Sequence, residues 1–351
     1  MPFFGSVIMF LGFFIIISNC LLPYLVYREP NLRVTHNWIK VSLAFADMLN
    51  GIVLVCSVLP NILWFRNLPE REVASEIAKE TNSVTAVFLG SLLIVSNQGS
   101  LLHLTFLTTE RLVAINWPMN HKALEQTIIY HGIAVVWILS IFCSFTPAIF
   151  PDHFEYSLAP VAFVNMLTTK NLPDGSMGYH GALYGVVTIL LPYSIMLLTS
   201  ITTGFIVWKK LRNSPRTCRV PKEQDHATRG SLESIVDYLR QVPELHPEIK
   251  VFKTLIIMIV AFSVTLLPVS VILILYNLKK YYNCDNYSLP YTLAFYIGIS
   301  NSFLNVIIYT VRDKSFRKAC RNEFPRIFRK KKNNENMRRK IEINSTSSNV
   351  L

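Results

Sequence analysis

The composition of this chain of 351 residues argues against a soluble enzyme. Hydrophobic residues make up 51% of it and charged residues only 16%, whereas soluble domains carry about 25% charged residues. The six cysteines lie far apart in the sequence, which excludes zinc-binding spacing and a disulfide-framed secreted domain. The net charge of +12 fits either nucleic acid or a membrane surface, and the placement of the basic residues decides between them.

Seven apolar segments have the length of about 20 residues that a helix needs to cross a bilayer. The sequence predicts these spans at about 3–27, 38–63, 84–112, 126–149, 180–208, 251–277 and 289–311. We therefore expect an all-α membrane protein, a seven-transmembrane-helix bundle that forms one domain over residues 1–311. Residues 312–325 predict a short amphipathic helix at the membrane, and residues 326–351 predict a basic, disordered tail.

The basic residues favour one side of the membrane. They are concentrated in the segments 28–40, 111–122, 209–253 and 312–340. These segments hold 28 of the 34 Lys and Arg, and the alternate segments hold 6. Because positive charge accumulates on the cytoplasmic side, we expect an extracellular N-terminus and a cytoplasmic C-terminus in the plasma membrane. Since the charge is divided among separate loops, membrane lipid is the expected partner and nucleic acid is not.

Polar side chains inside the predicted spans are expensive and need a partner or a role. Asp47 lies in the middle of span two among apolar neighbours, and steps of three and four residues place several polar groups of span seven on one face. The residues that could meet in one pocket are Asp47, Ser100, Asn301, Ser302 and Asn305. One carboxylate with several oxygen ligands suits a sodium ion or a water cluster. A structural hydrogen-bond network without an ion is the alternative.

Span three ends with Glu110 and Arg111, a carboxylate beside an arginine at the membrane boundary. Such a pair can be an ordinary surface interaction of ~0–1 kcal/mol. Glu248, at the start of span six, offers Arg111 a second acceptor, and a charged pair between helices can latch a two-state bundle. Pro268 in span six is either a tolerated kink or a hinge. The sequence allows both interpretations of the pair and of the proline.

Taken together, these residues resemble those of a rhodopsin-like (class A) G-protein-coupled receptor. The matching positions are Asn19, Leu43-Ala44-Phe45-Ala46-Asp47, Ser100, Glu110-Arg111-Leu112, Trp137, Pro192, Phe262, Pro268, Asn305-Val306-Ile307-Ile308-Tyr309 and Phe316. The resemblance implies a receptor for an unknown extracellular ligand that activates a heterotrimeric G protein. The switch residues that it implies are Glu110, Arg111, Glu248, Phe262, Pro268, Asn305 and Tyr309.

The sequence departs from the family pattern at several positions. Leu112, Val306 and Leu266 stand where the family has tyrosine, proline and tryptophan. Ala86 stands where the family has a cysteine at the outer end of span three, and the segment 150–179 has no cysteine to pair with it. We therefore expect no extracellular disulfide, and we expect packing alone to hold the outer end of span three.

The resemblance also narrows the classes of ligand that this chain could bind. Amine receptors of the family have an aspartate at the position of Leu93, and light-sensing members have a lysine at the position of Ile299. We therefore expect a small ligand that is neither a protonated amine nor retinal. The candidate pocket residues, for which helix packing is the alternative, are Leu93, Asn97, Tyr184, Thr188, Val269, Leu273, Phe295 and Tyr296.

Two further residues are candidates for covalent modification. Asn286 begins a candidate glycosylation sequon, and Cys320 is either a palmitoylation site or a free thiol. The sequence has no hydrolase, phosphate-binding or dinucleotide motif, so an enzyme is not expected and the candidate sodium ion is the only cofactor. A cation- or proton-coupled transporter with several spans is the alternative, although the sequence shows neither the repeats nor the broken helices that transporters favour.

Overall fold

The computed structural model describes residues 2–65, 70–159, 164–170, 179–213, 256–268 and 288–323. Within these ranges, six helices are long and apolar enough to cross a membrane, and a shorter apolar helix, Ile256–Pro268, lies at the position of span six. Glu248, Val269, Leu273, Asn286 and the tail 326–351, for which the sequence made predictions, lie outside the described residues.

The helices follow the predicted order. Spans one to four are Pro2–Arg28, Asn37–Phe65, Val84–Asn116 and Pro118–Ile149. Span five consists of Tyr179–Gly185, a π-helical turn Val186–Leu190 and Leu191–Asn213, and span seven is Ser288–Arg312. A further helix, here called the terminal helix, covers 314–323. The predicted fold class is confirmed. Span four begins earlier than predicted because Pro118, at the first helical position, starts a new helix.

The structure adds two elements that were not predicted, a helix Glu70–Glu80 between spans two and three and a β-hairpin between spans four and five. Strand β1, Phe154–Ala159, pairs antiparallel with strand β2, Val164–Thr169. The end of the bundle that carries these elements is here called the hairpin end, and the opposite end is called the Arg111 end.

The main apolar core lies toward the Arg111 end and joins every span. It includes Leu25, Ile39, Leu104, Ile129, Met196, Met258, Phe262, Tyr309 and Phe316. The terminal helix is amphipathic, because Phe316, Ala319 and Cys320 are buried in this core while the intervening basic side chains are exposed. Burial of one helical face thus places the terminal helix across the end of the bundle.

A smaller apolar cluster lies at the hairpin end. Leu93 of span three, Ile299 of span seven and Val164 of β2 are buried together with Ile8, Ile15, Val53, Leu54 and Val58 of spans one and two. Because Val164 is fully buried, the hairpin covers this cluster rather than extending away from the bundle. This cluster is here called the Leu93 cluster.

Spans one and two approach each other most closely at two glycines. A Cβ atom added to Gly51 would lie 2.8 Å from the carbonyl oxygen of Gly12 and 2.9 Å from the side chain of Ile16. Real Cβ atoms do not approach a backbone oxygen so closely, so the crossing requires the absence of a side chain at Gly51.

Two buried side chains, Ser42 and His103, and the partly buried Trp137 join spans two, three and four. His103 contacts the carbonyl oxygen of Gly99 through Nδ1 at 2.7 Å and the hydroxyl of Ser42 through Nε2 at 2.7 Å. The indole of Trp137 donates to the same hydroxyl at 2.9 Å. A carbonyl only accepts, so Nδ1 carries the proton, and Ser42 donates to Nε2 while it accepts from Trp137. The direction of donation is therefore fixed from span four through span two to span three.

Candidate functional site

The carboxylate of Asp47 forms the centre of a buried polar cluster. Oδ1 accepts a hydrogen bond from the hydroxyl of Ser100 at 2.6 Å, and Oδ2 accepts one from the amide of Asn305 at 3.0 Å. Asp47 is fully buried, and none of the ion pairs within the described ranges includes it. Neutral donors from spans three and seven therefore surround a buried carboxylate.

The cluster also includes Asn50, which was not predicted, and Asn19 and Asn97, which were not predicted to belong to it. Asn50 of span two donates to the hydroxyl of Ser302 at 3.0 Å and to the side-chain oxygen of Asn97 at 3.2 Å. Asn19 of span one donates to the backbone oxygen of Ser302 at 2.8 Å. The position of Asn50, three residues after Asp47 in the same helix, was a usable signal. Asn97, predicted to line the ligand pocket, thus contacts the polar cluster.

The chemistry of these donors fits a small hard cation. Carboxylate, hydroxyl and amide oxygens are the ligands that such ions prefer. The oxygens Oδ1 of Asn19 and Oδ1 of Asn50 are buried and have no hydrogen-bond partner within the described part of the chain. Asn301 and Ser302, the other predicted sodium ligands, are buried on the same span. Together these groups provide unsatisfied acceptor oxygens beside a buried negative charge.

At the Arg111 end, Arg111 pairs with its neighbour Glu110. The distance between Arg111 Nε and Glu110 Oε2 is 3.3 Å, and the Glu110 side chain is almost completely buried. Two of the predicted switch residues, Phe262 and Tyr309, lie in the core toward the same end. The hydroxyl of Tyr309 is buried and has no hydrogen-bond partner among the described residues. Span seven therefore places an unsatisfied polar group inside the apolar packing.

A second charged contact at this end was missed by the sequence analysis. Lys40 of span two lies 3.6 Å from Asp313 and 5.2 Å from the ring centre of Tyr309. Asp313 also accepts hydrogen bonds from the backbone N–H groups of Ser315 and Phe316, which caps the terminal helix. The acid directly after span seven was the available signal for this contact.

His36, in the connection between spans one and two, lies in a positively charged environment. Burial, and after it the charges of Arg111 and Lys40, lower the pKa of His36 to about 3. His36 is therefore neutral at physiological pH. The loop before span two consequently adds no third positive charge beside Arg111 and Lys40.

The predicted pocket residues fall into two groups. Leu93 belongs to the Leu93 cluster, and Phe295 and Tyr296 pack against that cluster. Tyr184 instead donates to the backbone oxygen of Cys143 in span four at 3.0 Å, and Thr188 donates to the backbone oxygen of Tyr184 at 2.7 Å. The structure thus brings the span-three and span-seven residues together, while the polar groups of the span-five residues are engaged elsewhere.

Cys320, the palmitoylation candidate, faces the core from the terminal helix. Burial raises the pKa of its thiol, which disfavours the nucleophilic thiolate. Acylation of Cys320 would therefore require this helix to turn or to leave the bundle.

Comparison with known proteins identifies the class. The family described as 7 transmembrane receptor (rhodopsin family) matches residues 18–309, and the chain therefore belongs to this family of G-protein-coupled receptors. The family is one of multi-pass membrane receptors rather than enzymes, and membership implies an extracellular ligand and a G protein as partners.

The individual relatives are distant. Neuropeptide Y receptor type 2 of Bos taurus is 23% identical over 312 residues, which cover 88% of this chain and 72% of the relative. Cannabinoid receptor type 1B of Takifugu rubripes is 25% identical over 326 residues, covering 89% and 61%. Neuromedin-K receptor of Cavia porcellus is 25% identical over 319 residues, covering 88% and 62%. The relatives thus include receptors named for different kinds of ligand.

Proposed function

We propose that this receptor converts the binding of an extracellular ligand, neither an amine nor retinal, into activation of a heterotrimeric G protein at the plasma membrane. The observation that carries this proposal is the contact between the buried Glu110 and Arg111 at the end of span three, in a chain of the rhodopsin family. A guanidinium stays charged in proteins. An Arg111 released from Glu110 therefore offers a fixed positive charge to a partner.

In the proposed orientation, the hairpin end is extracellular and the Arg111 end is cytoplasmic. The excess of basic residues in the segments at the Arg111 end supports it. The exposed Lys314, Arg317, Lys318 and Arg321 of the terminal helix would lie against anionic lipid on that side. Epitope tags at the two termini test the orientation in intact cells. Staining of the C-terminal tag without permeabilisation would contradict it.

The proposed ligand site is the region around the Leu93 cluster. Leu93 and Ile299 are apolar and lie together beneath Val164, which supports a ligand with an apolar part and gives a protonated amine no counter-ion there. The names of the relatives suggest neuropeptide Y, neuromedin K and cannabinoid ligands as first probes.

A nucleotide-exchange assay tests the function directly. The full chain is reconstituted in lipid nanodiscs with purified heterotrimeric G proteins of each subtype, and exchange is measured with and without the three probes. Arg111→Ala at equal protein amount is the matched control. We expect basal or ligand-stimulated exchange above that control. Exchange equal to the control with every G protein and every probe would contradict the proposed function.

We further propose that the Asp47 cluster binds a sodium ion. Asp47 and Ser100 would supply charged and hydroxyl oxygens, and the unsatisfied Oδ1 of Asn50 would supply an amide oxygen. The ion would neutralise the buried carboxylate and favour the arrangement in which spans two, three and seven stay together. A ligand-induced rearrangement that separates these groups would weaken ion binding. By linkage, the ion would weaken ligand binding by the same factor.

Thermal unfolding in NaCl and in choline chloride of equal ionic strength tests this proposal without any ligand. We expect sodium to raise the unfolding midpoint of the wild type specifically, and Asp47→Asn to remove the difference. Asp313→Asn, which alters an acid at the Arg111 end, is the matched control and should keep the sodium response. Equal midpoints of the wild type in the two salts would leave a plain hydrogen-bond network.

The proposed switch involves Glu248, Pro268 and the Arg111 end. Outward movement of span six about Pro268 would break a contact between Arg111 and Glu248 and free the unsatisfied hydroxyl of Tyr309 to find a partner. If that contact favours the closed state by about 1–3 kcal/mol, Glu248→Ala should raise basal exchange several-fold at matched receptor amount. Equal basal rates would identify Glu248 as an ordinary solvated carboxylate.

A further inference from the structure

Tyr156 of β1 makes the polar attachment of the β-hairpin to spans three and four, beside the apolar contacts of Val164 and Met166. The ring of Tyr156 is almost completely buried, and it packs on Gly90 of span three. A Cβ atom at Gly90 would lie only 2.5 Å from Tyr156 Cδ1. Any larger residue at this position would therefore displace the ring, so span three has a notch that fits it.

The hydroxyl of Tyr156 joins two spans. Ser91 of span three donates to it at 3.0 Å, and it donates to the backbone oxygen of Ser144 in span four at 3.3 Å. Burial raises the pKa of Tyr156, so the hydroxyl keeps the proton that the second bond requires. The side chain is thus fixed at its ring and at its tip.

The backbone of Tyr156 is held as well. Its N–H donates to Asn82 Oδ1 at 2.7 Å, and its carbonyl accepts from the Asn82 N–H at 2.8 Å. Asn82 has a φ of 60°, a left-handed conformation that asparagine tolerates better than most residues. The turn before span three therefore aims both of its polar groups at a single residue of the hairpin.

These contacts surround the position at which the family has its cysteine. Ala86 lies between Asn82 and Gly90, one helical turn from each, and the expectation that packing alone holds this end of span three is therefore wrong. We propose that Tyr156 is a positioning residue that holds the hairpin over the Leu93 cluster without a covalent bond. The site that holds this residue consists of Asn82 in the turn before span three and of Gly90 and Ser91 in span three.

The attachment through Tyr156 would keep strand β2 in place on the Leu93 cluster. Tyr156 pairs with Leu167 of β2, and Val164 and Met166 of the same strand lie on the Leu93 cluster. Loss of the attachment would let β2 lift from the cluster. The proposal rests on the proposed function only in treating this cluster as a ligand site, because the attachment can be tested without ligand or G protein.

The test measures access to the cluster with a thiol probe. Leu93→Cys is introduced into the full-length receptor in nanodiscs, and its labelling rate by a water-soluble maleimide is compared with that of the parent protein. We expect slow labelling, because the side chain at this position is buried under Val164. Tyr156→Phe removes both hydrogen bonds of the hydroxyl and should accelerate labelling by about tenfold or more.

Further variants distinguish the attachment from general destabilisation. Ser91→Ala, which removes one of the two bonds, should accelerate labelling less than Tyr156→Phe does, and the double variant should label at the rate of Tyr156→Phe. Ser157→Ala, which alters the neighbouring residue on the opposite face of β1, is the matched control and should leave the rate unchanged. Prior reduction and removal of the reductant should also have no effect.

Three outcomes would overturn the proposal. They are an unchanged rate in Tyr156→Phe, equal acceleration by Ser157→Ala, and acceleration by reduction, which would reveal a covalent link. Because the assay needs only the folded receptor, failure here leaves the nucleotide-exchange test of the proposed function unaffected, and the reverse also holds.

Discussion

Within the described residues, charged side chains contact each other at the Arg111 end, whereas neutral groups join the elements at the hairpin end. Arg28 of span one pairs with Glu323 of the terminal helix, and Lys40 of span two pairs with Asp313 just after span seven. Arg111 pairs with Glu110 within span three. At the hairpin end, the corresponding contacts are those of Tyr156 with span three and of Tyr184 with span four. The cationic partners at the Arg111 end are partly exposed, and such charges can exchange one partner for another or for water at small net cost. A neutral bond between buried groups leaves an unsatisfied atom when it breaks.

The difference indicates that the two ends of the bundle have different roles. The Arg111 end can pass between arrangements in which the same charges find different acceptors, including those of a protein partner. The hairpin end is suited to staying closed over an apolar cluster until a ligand replaces the lost contacts. Variants that change the charge at one end or the packing at the other therefore test whether the two ends differ in this way.

Arg111→Ala should have the largest effect. We expect it to abolish nucleotide exchange on the G protein, because the fixed positive charge at the end of span three is lost. Glu110→Gln, which keeps Arg111 but weakens its neighbour, should instead raise basal exchange several-fold. Exchange is measured at equal receptor amount. Substantial activity in Arg111→Ala would show that the charged end is not the coupling surface.

Gly51→Ala should lower stability by about 1–3 kcal/mol, the usual cost of an overpacked core. The added Cβ meets the backbone oxygen of Gly12, which cannot move aside. Gly185→Ala is the matched control, because a Cβ there meets nothing within 4 Å. Thermal unfolding in detergent is the measurement. Similar midpoints for Gly51→Ala and Gly185→Ala would mean that spans one and two separate easily.

His36 should make the Arg111 end sensitive to acid. Its folded pKa of about 3 lies below the unfolded value of about 6.5. The unfolded state therefore binds the extra proton between these values, and stability falls as the pH drops below about 6.5. At pH 5 the expected loss is about 2 kcal/mol, since one unit corresponds to about 1.4 kcal/mol.

His36→Gln should flatten this part of the stability profile. Unfolding midpoints of the wild type and the variant are compared between pH 5 and pH 9. We expect the two profiles to run parallel above pH 7, where His36 is neutral in both states, and to diverge below it. Parallel profiles over the whole range would contradict the buried, neutral state of His36.

The contact between Lys40 and Asp313 should contribute the least, about 1 kcal/mol or less, because both side chains are partly exposed to solvent. A double-mutant cycle with Lys40→Met and Asp313→Asn isolates the coupling from the capping role of Asp313. The coupling should shrink at high salt. A salt-independent value would place this pair with the neutral contacts of the hairpin end.

The membrane spans were predictable because each is an apolar run of bilayer length, which leaves the chain few alternatives. The polar cluster was partly predictable for a similar reason. Asp47 is conspicuous in an apolar helix, whereas Asn50 is a lesser anomaly and was overlooked. The contact between Asp47 and Asn305 joins residues far apart in the chain, and only the shared helical faces suggested it.

The hairpin contacts could not be derived in the same way. The strand β1 does alternate, with Phe154, Tyr156 and Leu158 buried and the residues between them less so, and this signal was missed. The site that receives Tyr156, however, consists of a missing side chain at Gly90, a hydroxyl and a turn. None of these is distinctive in a sequence, because their meaning depends on the partner that packs there. The contact of Lys40 with Asp313 differs, because the acid directly after span seven was an available signal that was missed.

The cysteine-free segment 150–179 also has a consequence for how the receptor is made. Receptors that close this region with a disulfide depend on an oxidising compartment and on correct thiol pairing during maturation. The hairpin of this chain can instead attach as soon as spans three and four have packed. Its assembly should therefore proceed in a reducing cell-free translation system supplied with lipid, at a rate set by helix packing rather than by thiol chemistry.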